Sequence, residues 1–135
     1  MSKKTISECF REYGAKQNNV QWSVSAWADD KTLVVSLWDH HRTTAARGVW
    51  VVEDQFDRWT GPGNNEFREN VRRAFDEGSD VKLVLAKTVE KERVQSGDDG
   101  STISKEFSTF PDYTGKVTRA DDAYSIEFRH KSLAR

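Results

Sequence analysis

Two short runs, TLVVSLW (residues 32–38) and VKLVLA (residues 81–86), are the longest mainly apolar stretches in the chain. Neither approaches the roughly 20 apolar residues that a helix needs to cross a bilayer, so no membrane contact is expected. In the first run Leu33, Val35 and Leu37 share one side of an extended chain, and Val34 makes the other side apolar too. Such a strand needs cover on both faces and belongs inside a sheet rather than at its edge. In the second run Val81, Leu83 and Leu85 alternate against Lys82, Val84 and Ala86, again with the period of two that marks a strand. A chain of 135 residues can hide roughly two-thirds of its extended surface. One domain spanning 1–135 is therefore expected.

The other elements follow from spacing and punctuation. Thr5-Ile6-Ser7-Glu8 has the form of a capping box, and Ile6, Cys9, Phe10 and Tyr13 then recur at helical intervals before Gly14. Cys9 lies on the apolar side of that helix, which reads as a small packed hydrophobe. Being the sole cysteine, it excludes an internal disulfide and a zinc finger. Residues 20–28 read as a strand with Trp22, Val24 and Ala26 on one face and Ser23, Ser25 and Trp27 on the other. Asp29-Asp30-Lys31 then turns it into a hairpin with residues 32–38. A polar link, 39–47, leads to a strand at 48–53. Gly61-Pro62-Gly63-Asn64-Asn65 opens a second helix, capped by Asn64 or Asn65, with Phe67, Val71, Ala74 and Phe75 as its buried stripe. Strands are expected at 81–89, 116–119 and 123–130, the last with Tyr124, Ile126 and Phe128 inward. The charged segment at 90–104 reads as an exposed loop or hairpin arm. The sum is an α+β fold: a mixed or mostly antiparallel sheet of five to six strands with two helices packed on it, in the order α-β-β-β-α-β-β-β.

Chemistry has few candidates. Lys and Arg number 21 against 22 Asp and Glu, a formal charge of -1, which excludes a polybasic protein holding nucleic acid by bulk charge. His40 and His41 are adjacent, and neighbours on an extended segment point to opposite sides. A shared ion would need the loop to fold the two rings together and a third ligand, such as His130 or Asp57. No metal site and no cofactor are expected. Lys82 and Lys87 lie on a strand without the acidic partner that a magnesium-dependent nuclease would want. No G-x-S-x-G elbow supports a serine triad. The glycine turn at 61–65 could offer backbone N–H groups to a phosphate, but the Lys-Ser/Thr of a P-loop is missing. No catalytic residue is assigned.

Five tryptophans and a scatter of arginines are more suggestive, since exposed indoles beside guanidinium groups stack on bases and on peptides alike. The first reading is a binding module for nucleic acid that uses Trp27, Arg68, Arg72, Arg73, Arg129 and Lys131. The alternative is a protein-interaction module that uses exposed tryptophan and the acidic 90–104 loop. The segments W-S-V-S-A-W, V-V-S-L-W, G-P-G-N-N and V-K-L-V-L-A resemble small uncharacterised proteins encoded in bacterial and phage genomes. That resemblance implies a shared fold over about residues 22–87 and carries no activity or site. The N-terminus has no apolar core of the length a secretory signal requires, so a cytoplasmic protein is the expectation.

Overall fold

The computed structural model describes residues 4–133. Within them the chain runs α1 (Ile6–Glu12), β1 (Ser25–Trp27), β2 (Leu33–Trp38), β3 (Arg42–Ala46), β4 (Val49–Gln55), α2 (Pro62–Glu77), β5 (Val81–Lys87), α3 (Lys91–Gln95), β6 (Glu106–Thr109), β7 (Tyr113–Ala120) and β8 (Ala123–His130). One eight-stranded sheet has the order β1-β2-β5-β7-β8-β4-β3, and β6 also pairs with β5. The α+β class and the mostly antiparallel sheet agree with the sequence. The sheet has more strands than expected, the helices number three among the described residues, and the order differs.

The centre is a parallel pair. β2 and β5 run in register from Leu33 beside Val81 to Trp38 beside Ala86, and α2 is the crossover element between them. Leu33, Val35, Leu37, Val81, Leu83 and Leu85 face α2, where Phe67, Val71 and Ala74 close the larger core. Val34 and Val84 face the other way and meet Cys9 and Phe10 of α1. Both faces of these strands are thus covered, as their composition demands. Burial pushes the Cys9 thiol up from its ordinary pKa.

Several expected boundaries move, each for a local reason. The first strand shrinks from 20–28 to three residues, because the Trp22 and Ser23 amides both donate to Asn19 O and form a turn. The polar link at 39–47 contains β3, an edge strand whose Thr43, Thr44, Ala45 and Ala46 are exposed. An edge needs no apolar alternation, so hydrophobic periodicity could not reveal it. β6 at 106–109 was not expected either; it pairs along the outer half of β5, from Val84 beside Thr109 to Lys87 beside Glu106. α2 starts at Pro62 with Gly61, at φ +117°, as its cap. Asn64 instead donates through Nδ2 to the carbonyls of Phe56 and Trp59. Phe75 lies outside the buried stripe, at 46% exposure.

The 90–104 segment is a compact loop whose residues are mostly exposed or half-buried. Its two large apolar residues, Val94 and Ile103, are both buried. Its ends are tied where Thr88 Oγ1 donates to Ser104 O (2.6 Å) and Ser104 N donates to Glu90 Oε2 (2.7 Å). Arg93 organises its interior, pairing with Glu90 and Asp98 and donating to Thr102. Closed ends and self-packing make it an Ω-loop inserted between β5 and β6. Among the described residues, no helix is long and apolar enough to cross a membrane.

Tyr13 fastens α1 to the sheet. Its hydroxyl donates to Leu83 O (2.9 Å) and accepts from Phe110 N (2.8 Å). Burial pushes its pKa up to about 12, the hydrogen bond from Phe110 opposing. An acid weakened by folding contributes stability that is complete below its unfolded pKa of about 10 and fades as pH rises towards the folded value. Tyr13→Phe should therefore cost about 1–2 kcal/mol at neutral pH through its lost hydrogen bonds. The gap between wild type and variant should narrow from pH 10 to 12, as read by urea unfolding at each pH.

Candidate functional site

A cleft of about 880 Å³ opens at the C-terminal ends of β2 and β5. β1 pairs with β2 only as far as Val35, and one further bond runs from Ser36 N to Val24 O. Beyond that point the flank of β2 is lined by the cleft. Leu37, Phe67 and Tyr124 line its inner side, and Val94, Gly97, Asp98, Gly100 and Ile103 of the Ω-loop supply another side. Three of the five tryptophans, Trp22, Trp38 and Trp59, border it. Trp22 is 38% exposed, and Trp38 and Trp59 are half-buried.

The wall is built with close approaches. A Cβ on Gly63 would lie 2.5 Å from Trp22 O, so only glycine lets the first turn of α2 sit against that backbone. Gly97, at φ +82°, would bring a Cβ to 2.6 Å from Arg58 O. Arg58 is the central polar group. Its Nε donates to Asp54 Oδ2 (2.5 Å) and its Nη1 to Val94 O (2.5 Å). The Arg58 and Asp54 side chains are 11% and 9% exposed. Tyr124, opposite Asp54 in the β4–β8 register, has its phenol pushed up chiefly by burial and then by the Asp54 charge. Lys105 at the rim donates to the carbonyls of Gly100 and Ile103, and burial lowers its pKa.

Beside this cleft, the link after β2 forms a single tight turn, Asp39–His41. It swings both histidine rings to one side, with centroids 4.4 Å apart. His40 Nε2 and His41 Nε2 lie 3.0 and 2.5 Å from Gln95 Oε1 of α3. His41 Nδ1 is 3.8 Å from Asp54 Oδ2. Burial lowers the His40 pKa, with the Gln95 contact opposing.

The residues chosen from sequence are spread out. Arg68, Arg72 and Arg73 do share a groove of about 440 Å³ on α2, but Glu69, Asp76 and Glu77 line it with them. Arg73 pairs with Glu77 (3.1 Å), not with Glu69 as its spacing also allowed, and lies over the Trp27 ring. Trp27 itself donates through Nε1 to Asn70. Arg68 and Arg72 both lean on the Phe56 ring, and Arg72 donates to Asp121 O. Arg129 pairs with Glu127 on β8, and Lys131 pairs with Asp112. In the β4–β8 register Arg129 lies opposite Val49, on the sheet side away from α2. The six do not form one surface.

Arg58, Asp54, Gln95 and Tyr124 were missed. The one available signal was the four-residue spacing of Asp54 and Arg58. Comparisons with family models, with curated proteins and with solved structures find no match for this chain.

Gly97→Ala would force the loop off Arg58. Hydrogen exchange should then accelerate across residues 88–104 and stay slow in β2, β5 and β8.

Proposed function

We propose that the chain is a binding module whose ligand site is the tryptophan-walled cleft. The observation that carries this reading is the convergence of Trp22, Trp38 and Trp59 on one cavity that lies within the size range of small-molecule sites. Its place at the C-terminal ends of a parallel strand pair with an α-helical crossover supports the same reading, since such ends are where open α/β sheets hold ligands. Indole faces favour flat rings, by stacking on aromatic ones or by contact with the C–H face of saturated ones.

The charges around the cleft argue against a polyanion there. Arg58 is held by Asp54, Lys105 by two carbonyls and Lys4 by Glu12. The nucleic-acid reading would need phosphate contacts, yet Arg73, Arg129 and Lys131 are engaged by acidic side chains. A planar ring compound of low charge is the ligand class that fits.

Ligand-observed NMR with a panel of neutral heteroaromatic fragments, together with tryptophan quenching, tests this. Hits should lose about tenfold or more in affinity on Trp38→Ala or Trp59→Ala, and should keep their affinity in Arg68→Ala with Arg72→Ala. If no fragment binds, or if a single-stranded oligonucleotide binds at low salt and depends on Arg68 and Arg72 alone, the cleft reading fails.

A further inference from the structure

We infer that the ring held in the cleft is read along one edge by two backbone groups of β2, Ser36 O and Trp38 N. Its ligand is then a neutral heteroaromatic compound that carries an N–H donor beside a carbonyl or ring-nitrogen acceptor, as a lactam does. This inference rests on the cleft reading above and narrows it from flat rings in general to one hydrogen-bonding pattern.

The hydrogen bonds around β2 fix which way its backbone groups point. Along a strand, successive residues present their N–H and C=O to opposite edges. Ala28 N donates to Thr32 O and Ser36 N donates to Val24 O, so the even-numbered residues turn towards β1. Leu33 N donates to Asp80 O, next to Val81 of β5, so the odd-numbered residues turn towards β5. Ser36 O and Trp38 N therefore lie on the β1 side. There β1 does not reach them. Its last register pair is Ser25 with Val35, and the chain before it bends away, with Trp22 N and Ser23 N both donating to Asn19 O. Ser36 O and Trp38 N have no hydrogen-bond partner among the described residues. Both residues line the cleft.

A purely hydrocarbon ring stacked on the indoles would displace water from these two groups and return nothing to them. Leaving a backbone donor and acceptor without partners costs free energy. A ring with a donor beside an acceptor satisfies both at once. Its N–H is accepted by Ser36 O, and its carbonyl accepts from Trp38 N. The carbonyl of one residue and the N–H two residues on are the pair that a parallel neighbour bonds through a single residue of its own, and a lactam edge carries the same two groups in one plane. An added peptide strand could use the same pair, but the open stretch is too short for it. Ser36 N is already taken by Val24, and after Trp38 the chain enters the tight turn Asp39–His41. One open rung offers little to strand addition, which draws its affinity from a series of main-chain bonds. It is enough for one ring.

Three flat bicyclic probes of similar shape test the pattern: isoquinolin-1(2H)-one, isocoumarin and naphthalene. The first has the N–H beside a carbonyl, the second replaces that N–H with an oxygen acceptor, and the third has neither group. Each is titrated into the ¹⁵N-labelled full chain. We expect isoquinolin-1(2H)-one to bind about tenfold or more tighter than the other two and to move the Trp38 amide proton downfield. Trp59→Ala should weaken all three by a similar factor and keep their order, because the preference resides in the backbone. Equal affinities for the three probes, or a Trp38 amide that stays in place at saturation while the indole signals of Trp22 and Trp59 shift, would overturn this inference and leave the cleft reading standing. Absence of binding by all three would overturn both.

Discussion

Everything in this fold is arranged around the parallel pairing of β2 and β5. Each strand is apolar on both sides, and six register pairs from Leu33–Val81 to Trp38–Ala86 hold them together. A parallel pair requires a crossover, which α2 supplies on one face. The other face would leave Val34 and Val84 in water without the short α1. That is why a seven-residue helix, too short to be stable alone, is fastened by its capping box and by Tyr13. Burial of those valines and Phe10 is what holds it.

The cleft follows from how β5 divides its outer edge. Near its start Val81 pairs with Gly115 of β7, while residues 84–87 pair with β6. β7 thus pairs with β5 only near its start, and at the C-terminal end of β5 its place along that edge is taken by β6. On its other side Gly115 lets the Phe128 ring of β8 lie against β7, because a Cβ there would meet that ring at 2.6 Å. The cleft at that end, with β1 ending early on the far side of β2, is lined by side chains from the strand ends and from the loops around them.

The sequence exposed the interior of the sheet far better than its borders. Leu33–Trp38, Val81–Lys87 and Ala123–His130 were legible because burial imposes a period of two. Edge strands obey no such rule, so β3 and β6 stayed hidden among Thr, Ser and charge. The packing within the Ω-loop was hidden for a related reason. Val94 and Ile103 are sparse anchors, and their burial depends on a network around Arg93 that only the folded loop assembles. The histidines show how backbone conformation decides side-chain direction. Adjacent residues diverge on a strand, but a tight turn at Asp39–His41 makes their rings converge. Tryptophan counts drew attention to aromatic surfaces, and three of the five line one cleft; arginine counts did not reveal the acidic partners of Arg73 and Arg129.

The Asp54–Arg58 pair poses the sharpest energetic question. Both side chains are about nine-tenths buried, and taking two charges out of water costs several kcal/mol apiece before their attraction returns any of it. An apolar pair could fill the same volume at no loss of stability. The difference lies in directionality. A guanidinium carries donors in a fixed plane, so Arg58, anchored through Nε, directs Nη1 at Val94 O and sets where the Ω-loop lands. The same carboxylate oxygen that anchors Arg58 faces His41 Nδ1. One buried aspartate thus anchors Arg58 and lies beside His41, the two groups that meet the loop. Hydrophobic contacts of Val94 and Ile103 hold the loop down without specifying its register; the ion pair supplies the register.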